Sequence, residues 1–171
     1  MLVLGAGGGA DVLLARLFAA PSIDAVELNP QTVALVRDEF AGFAGELYSA
    51  PTVRVHIADA RSFVNARGEL YDIVQISLLD SFAAAAGGLH GLGESTLYTL
   101  EAFRALLDRL APDGLLAVTR WVSVPPRDPL KVFATAVAVL RERGVADPGE
   151  RLAWIRGWRT TTLLVLSLIH I

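Results

Sequence analysis

Two acids stand at the ends of short apolar runs. Glu27 closes Ile23-Asp24-Ala25-Val26-Glu27, and Asp59 follows Val53-Arg54-Val55-His56-Ile57. Both lie downstream of Gly5-Ala6-Gly7-Gly8-Gly9-Ala10. A carboxylate at the end of a buried strand can accept hydrogen bonds from both hydroxyls of a ribose. One at Asp59 can accept from an adenine amino group while the backbone at Ala60 meets the ring edge. Gly5 allows the tight turn out of Leu2-Val3-Leu4, Gly7 puts no side chain between backbone and ligand, and Gly9 lets the following helix pack close to the sheet. That helix presents unpaired N–H groups at its start. Together these residues sketch an adenosine site, and the glycine loop suits an extended, nucleotide-like cofactor.

Further polar residues are candidates with ordinary structural alternatives. Asp11 can reach a cofactor amino group, or simply favour the positive end of its helix. Glu94 and Tyr98 follow a run of small residues and serve either the substrate or packing and capping. His90 lies in that run, as a proton acceptor near neutral pH or as a solvent-facing histidine. His56 alternates with Val55 and Ile57 and reads as structural. Thr119, Arg120 and Trp121 leave a strand at the edge where ligands bind, so Trp121 either walls a substrate pocket or fills space. No spacing of His, Asp and Glu suggests a metal site.

The elements that position these residues alternate apolar strands with amphipathic helices. This is the pattern of an α/β, doubly wound, mostly parallel Rossmann-like sheet of about seven strands, with helices on both faces and a terminal antiparallel strand. Helices are expected over residues 10–18, from Pro30 with Asn29 as cap and Val33, Val36 and Phe40 inside, and over 61–66. Two more are expected over 96–110, burying Leu100, Phe103, Leu107 and Leu110, and from Asp128 as cap to a stop at Gly144, with Leu130, Phe133, Val137 and Leu140 inside. Pro112-Asp113-Gly114 reads as a turn into the fifth strand, 115–119. Strands 151–155 and 160–165 close the sheet. Residues 81–93, rich in alanine and glycine, read as a lid over the cofactor or as a plain connector.

With 171 residues, 53% hydrophobic and 19% charged, the chain can build one substantial core. A net charge of −3 and scattered arginines give no footprint for nucleic acid. The absence of cysteine rules out disulfides and fits a cytoplasmic location. No apolar run reaches the roughly 18 residues needed to span a bilayer.

Val3-Leu4-Gly5-Ala6-Gly7-Gly8-Gly9, Ala25-Val26-Glu27-Leu28-Asn29, Asp59-Ala60, Tyr71-Asp72-Ile73-Val74, Leu97-Tyr98 and Leu110-Ala111-Pro112-Asp113-Gly114 resemble the S-adenosylmethionine-dependent methyltransferase fold. More narrowly, they resemble its spermidine synthase (polyamine aminopropyltransferase) branch. The resemblance implies an enzyme, a transferase that binds S-adenosylmethionine or its decarboxylated form and moves a methyl or, less in keeping with this chain, an aminopropyl group to a small acceptor such as an amine. It implies acids at the end of the fourth strand, three residues later, and inside the glycine loop. Those positions hold Ser77, Asp80 and Gly8. Asp80 is then the acid expected near the reacting centre, with a cap or turn role as its alternative. Without an acid at Gly8, intact S-adenosylmethionine becomes the expected ligand over the decarboxylated form. Ser77 cannot serve as a carboxylate base. An NAD-dependent oxidoreductase, which the same glycines and Glu27 would suit, and a binding module without catalysis are the alternatives. The resemblance also leads us to expect truncation at both ends, a domain over 1–165, a homodimer in the intact parent, and a parent that is cytoplasmic or attached to the membrane from that side; residues 166–171 read as a non-native tail or as an extension of the last strand.

Overall fold

The computed structural model describes residues 1–78, 96–122 and 124–167. Two compact units divide the chain, Met1–Arg67 and Gly68–Ile171. In the first, β1 (Leu2–Leu4), α1 (Ala10–Leu17), β2 (Ile23–Glu27), α2 (Pro30–Ala34), β3 (Val53–Ile57) and α3 (Ala60–Ala66) follow one another. Strand β2 runs parallel to both its neighbours, with Val3 opposite Ala25 and Ala25 opposite Val55. Helical crossovers between parallel strands cover both faces of a sheet, which explains why Leu2, Val3 and Leu4 are all fully buried. Val3, Val12, Ile23, Ala25 and Val33 form the core together with Leu47 and Tyr48. Those last two come from a 3-10 turn, Leu47–Ser49, between α2 and β3.

Asn29 caps α2 as expected, its Oδ1 accepting from the Gln31 amide at 2.9 Å. Val33 is buried and Val36 partly so, but Phe40 is exposed. A π-helical turn over Leu35–Glu39 accounts for the difference: the Phe40 amide bonds the Leu35 carbonyl at 2.8 Å, and the wider turn rotates Phe40 off the buried stripe. Buried Asp24 on β2 binds both Arg54 (2.9 and 2.7 Å) and the His56 ring (2.7 Å) on β3. His56 also packs against Phe63 of α3, 4.8 Å between ring centres. The structural reading of His56 is thus given its partners.

The second unit contains β4 (Tyr71–Ile76), α4 (Leu100–Leu107), β5 (Leu110–Trp121), α5 (Arg127–Glu142), β6 (Leu152–Arg156) and β7 (Thr160–Leu166). Strands β4 and β5 are parallel, whereas β7 lies antiparallel between β5 and β6. The helix expected over 96–110 is shorter. Thr96–Tyr98 is a 3-10 turn, Thr99 caps α4 by accepting from the Ala102 amide, and Leu110 is buried as the first residue of β5. Leu100 is only half-buried. Pro112-Asp113-Gly114 is a bulge within β5, since Tyr71 faces Leu110 but Ile73 already faces Leu115. Only glycine fits its end: a Cβ on Gly114 would stand 2.9 Å from the Ala111 amide nitrogen and carbonyl oxygen and from the Tyr71 carbonyl oxygen.

The phase of α5 also differs from expectation. Pro129, Val132, Ala136, Val139 and Leu140 are its buried residues, Leu130 is exposed, and Phe133 lies on the shoulder, stacked on Trp154 at 5.1 Å. Asp128 sits in the first turn, with Pro126 as the cap residue. Small Ala136 at the centre of the stripe lets the helix seat closely, a choice that apolar periodicity weighted toward large side chains misses. The helix stops as expected at Gly144, φ +85°, with the Val145 amide returning to the Leu140 carbonyl. Leu166 pairs with Leu115 as the last residue of β7, and the Ser167 amide just beyond it bonds the Gly114 carbonyl at 2.9 Å.

Candidate functional site

The turn after β1 is built as its glycines require. Gly5, Gly7 and Gly9 all have positive φ, at 76°, 50° and 88°. The Gly5 and Ala6 amides share the Val26 carbonyl, each at 2.9 Å, which fastens the loop to the end of β2. Glu27 fastens it again. Its Oε2 accepts from the Gly7 amide and its Oε1 from the Asn29 amide, both at 2.8 Å. The expected ribose acceptor is therefore also the residue that fixes the loop, and each of its oxygens keeps a second lone pair for a ligand.

Tyr48, absent from the sequence-level candidates, holds the loop from the other side. Its hydroxyl donates to the Gly7 carbonyl at 2.7 Å. Burial first, and then the negative charge of Glu27, push its phenol well above the ordinary range. Gly9 corrects another expectation: a Cβ there would collide with Leu47 Cδ2 and stand 3.4 Å from Tyr48 Cε1, so the close approach it permits is to the Leu47–Ser49 turn. The one available sequence signal is the apolar pair Leu47-Tyr48 ahead of Pro51 in a stretch otherwise poor in large side chains.

Around the rest of the loop there is room for a ligand. Among the described residues, a Cβ on Gly8 would meet nothing within 4 Å, and one on Gly7 only the Gly5 carbonyl oxygen at 3.9 Å. An extended ligand that needs bare backbone fits such a surface. Asp11 lies in the first turn of α1, beside the helix start. Asp59 caps α3, its Oδ1 accepting from the Ser62 amide at 2.8 Å, and Ala60 is the first helical residue. The cap occupies one of the two carboxylate oxygens. Gly5, Gly7, Gly9 and Glu27 are thus brought together around one loop, with Asp59 and Ala60 at the turn that follows β3.

In the second unit, Ser77 follows β4 and is buried, and its Oγ has no hydrogen-bond partner among the described residues. Thr119 on β5 shares a hydroxyl contact of 3.0 Å with Thr162. Arg120 lays its guanidinium 4.4 Å over the Tyr98 ring and stands 3.9 Å from Asp128. Trp121, the last residue of β5, is half-buried. Asp80, His90, Glu94 and the stretch 81–93 lie outside the described residues. Among the described residues no helix is long and apolar enough to cross a membrane.

Comparison with known proteins gives this geometry a family. Residues 1–122 match the spermine/spermidine synthase domain. A polyamine aminopropyltransferase of Synechococcus sp. is 27% identical over 119 residues, 69% of this chain and 36% of that protein. The chain therefore spans about a third of that relative's length. Among solved structures, a probable spermidine synthase from Corynebacterium glutamicum superposes with a TM-score of 0.70 at 22% identity, covering 96% of this chain and 55% of the other. Human methyltransferase-like protein 13, in complex with SAH, gives 0.68 at 19% identity, covering 99% and 72%. These likenesses show a methyltransferase-like α/β fold, and the described residues have its elements: mostly parallel strands with an antiparallel terminal pair, and helices between them. The NAD-dependent oxidoreductase alternative gains no support from any of them. By its match across most of its length, this chain belongs to the spermine/spermidine synthase domain family.

Proposed function

We propose that the glycine loop holds an adenosyl sulfonium, S-adenosylmethionine or its decarboxylated form, and that the chain serves transfer of a group from it to a small acceptor. One observation supports this above the others: Glu27 pins the Gly7 amide while, among the described residues, nothing crowds the Cβ direction of Gly8. A strand-end carboxylate fixed beside bare backbone suits ribose hydroxyls next to an extended ligand. Asp59 and Ala60 would meet the adenine. When bound, such a sulfonium supplies an electrophilic carbon and a neutral thioether leaving group. The chain's own part is to orient the acceptor nitrogen toward that carbon and to take up the proton it sheds as the new bond forms and the carbon–sulfur bond breaks.

Two readings of the transferred group follow. The names of the relatives favour an aminopropyl group and an amine acceptor. Gly8 and Ser77 favour a methyl group, because neither supplies the negative charge that would select a propylammonium or a diamine. Asp80 is the candidate proton acceptor under both, with Glu94, Tyr98 and Trp121 as candidate contacts to the acceptor. Calorimetric titration with S-adenosylmethionine, methylthioadenosine and NAD tests the adenosyl reading. The first two should bind and NAD should not, and binding of NAD alone would overturn it.

A further inference from the structure

Strands β6 and β7 are joined by a hairpin through Gly157-Trp158-Arg159, closed by the Gly157 amide on the Thr160 carbonyl at 2.8 Å. Trp121 pairs with Thr160, and the Val122 amide bonds the Arg159 carbonyl at 2.7 Å, so the hairpin tip lies beside the chain as it leaves β5. Tryptophan is on average a well-buried residue. Trp158 is 94% exposed, and Val124, two residues past Val122, is 93% exposed. Basic side chains accompany them. Arg156 and Arg159 flank the tryptophan in sequence and are exposed, as is Arg127, the first residue of α5. Thr161 pairs with Arg120 on one side and with Arg156 on the other, and Arg120 stands 3.9 Å from Asp128, which puts Arg156 level with the start of α5. Asp128 is the one acid within residues 120–131 and 152–161. A chain of net charge −3 thus gathers exposed positive charge at the corner where two apolar side chains protrude.

We propose that this corner is a docking surface for an anionic lipid membrane. Tryptophan favours the boundary between headgroups and hydrocarbon, the valine adds apolar contact, and the three arginines meet headgroup phosphates. A single-stranded nucleic acid fits less well. It needs a basic groove that follows its backbone, gains nothing from an aliphatic side chain, and is repelled by the net charge of the chain. The tip stands at the carboxyl end of β5, so docking brings to the lipid the edge at which open α/β sheets bind ligands. The docking itself does not depend on the adenosyl-transfer reading.

The test sediments the full chain with vesicles of phosphatidylcholine alone and with vesicles of phosphatidylcholine and phosphatidylglycerol in equal parts. Binding to the anionic vesicles should be about ten-fold stronger or more, and should fall as salt is raised. Trp158→Ala should weaken it about ten-fold, and the double variant Arg156→Gln, Arg159→Gln should remove most of the preference for anionic lipid. Tryptophan emission should shift to shorter wavelength when anionic vesicles are added, and Trp158→Phe should lose most of that shift while keeping part of the binding. Equal binding to the two vesicles, no binding to either, insensitivity to salt, or unchanged binding in the arginine double variant would each overturn the inference. So would two other outcomes in the absence of vesicle binding: capture of a single-stranded oligonucleotide, or a concentration-dependent dimer that Trp158→Ala dissolves. The substituted side chains stand in water, so thermal midpoints should stay near wild type. If a variant melts early, the lipid preference, salt dependence and emission shift of the wild type decide.

Discussion

Glu27 does two things at once, and replacing it separates them. Glu27→Ala removes the acceptor for the Gly7 and Asn29 amides as well as the proposed ribose contact. Adenosyl binding should weaken by about 1.5 to 3 kcal/mol, the range for hydrogen bonds to a charged group, as read by calorimetry. Asp24 gives a pH prediction. Burial raises its pKa, but the hydrogen bonds and charges of Arg54 and His56 outweigh that and hold the carboxyl at about 2, below its ordinary 3.8. A depressed folded pKa means that the stabilisation is complete above about pH 4 and is lost as pH falls toward 2. Urea midpoints across that window should fall more steeply for the wild type than for Asp24→Asn, by roughly 1 to 2 kcal/mol, with the Arg54 side chain in water limiting the effect. Tyr48 works in the other direction. Its raised pKa leaves stability intact below the ordinary phenol value of 10.0 and erodes it as pH climbs further, because the unfolded chain ionises first. Tyr48→Phe should flatten that alkaline decline while losing about 0.5 to 1.5 kcal/mol at neutral pH with the bond to Gly7.

The elements show where reading from residues succeeds and where it stops. Strands β2 and β3, the Asn29 cap and the Gly144 stop follow from local chemistry, and the structure has them within a residue. The π-helical turn that exposes Phe40 and the bulge at Pro112-Asp113-Gly114 depend on packing between segments, which a linear pattern does not carry. The same holds at the glycine loop. Gly5 and Gly9 are legible as turn glycines, but that Leu47 fills the space beside Gly9 is a tertiary fact. Gly9→Ala should therefore destabilise the first unit by about 1 to 3 kcal/mol, since it adds a clash to a left-handed backbone. Gly8→Ala meets open space and should leave the thermal midpoint close to wild type. Equal losses at the two positions would contradict the assignment of Leu47 and Tyr48 as the floor of the loop.

For the whole molecule, the fold and family were legible because glycine loop, Glu27 and Asp59 recur in order with alternating strands and helices. The acceptor chemistry was less so, since the burial of Ser77 is a fact of tertiary packing. Putrescine and decarboxylated S-adenosylmethionine, supplied to the protein, test the family chemistry directly. The expected outcome is little release of methylthioadenosine, with partial recovery in the double variant Gly8→Asp, Ser77→Asp. Release at the rate of a true synthase would instead favour the aminopropyl reading and direct attention to Asp80, Asp11 or Glu94.

The two side chains that hold the loop are remote from it in the chain: Gly7 meets Glu27 across 20 positions and Tyr48 across 41. The loop should thus take its shape only once β2 and the Leu47–Ser49 turn are in place. Closing such contacts costs chain entropy that only the assembled core returns. A peptide ending before Leu47 should contain every glycine of the loop and still lack its native geometry, whereas one reaching Arg67 includes all the anchors. Ligand affinity would then be a sensitive gauge of folding: any lesion that loosens the Leu47–Ser49 turn, however distant in sequence, should register first as lost cofactor binding.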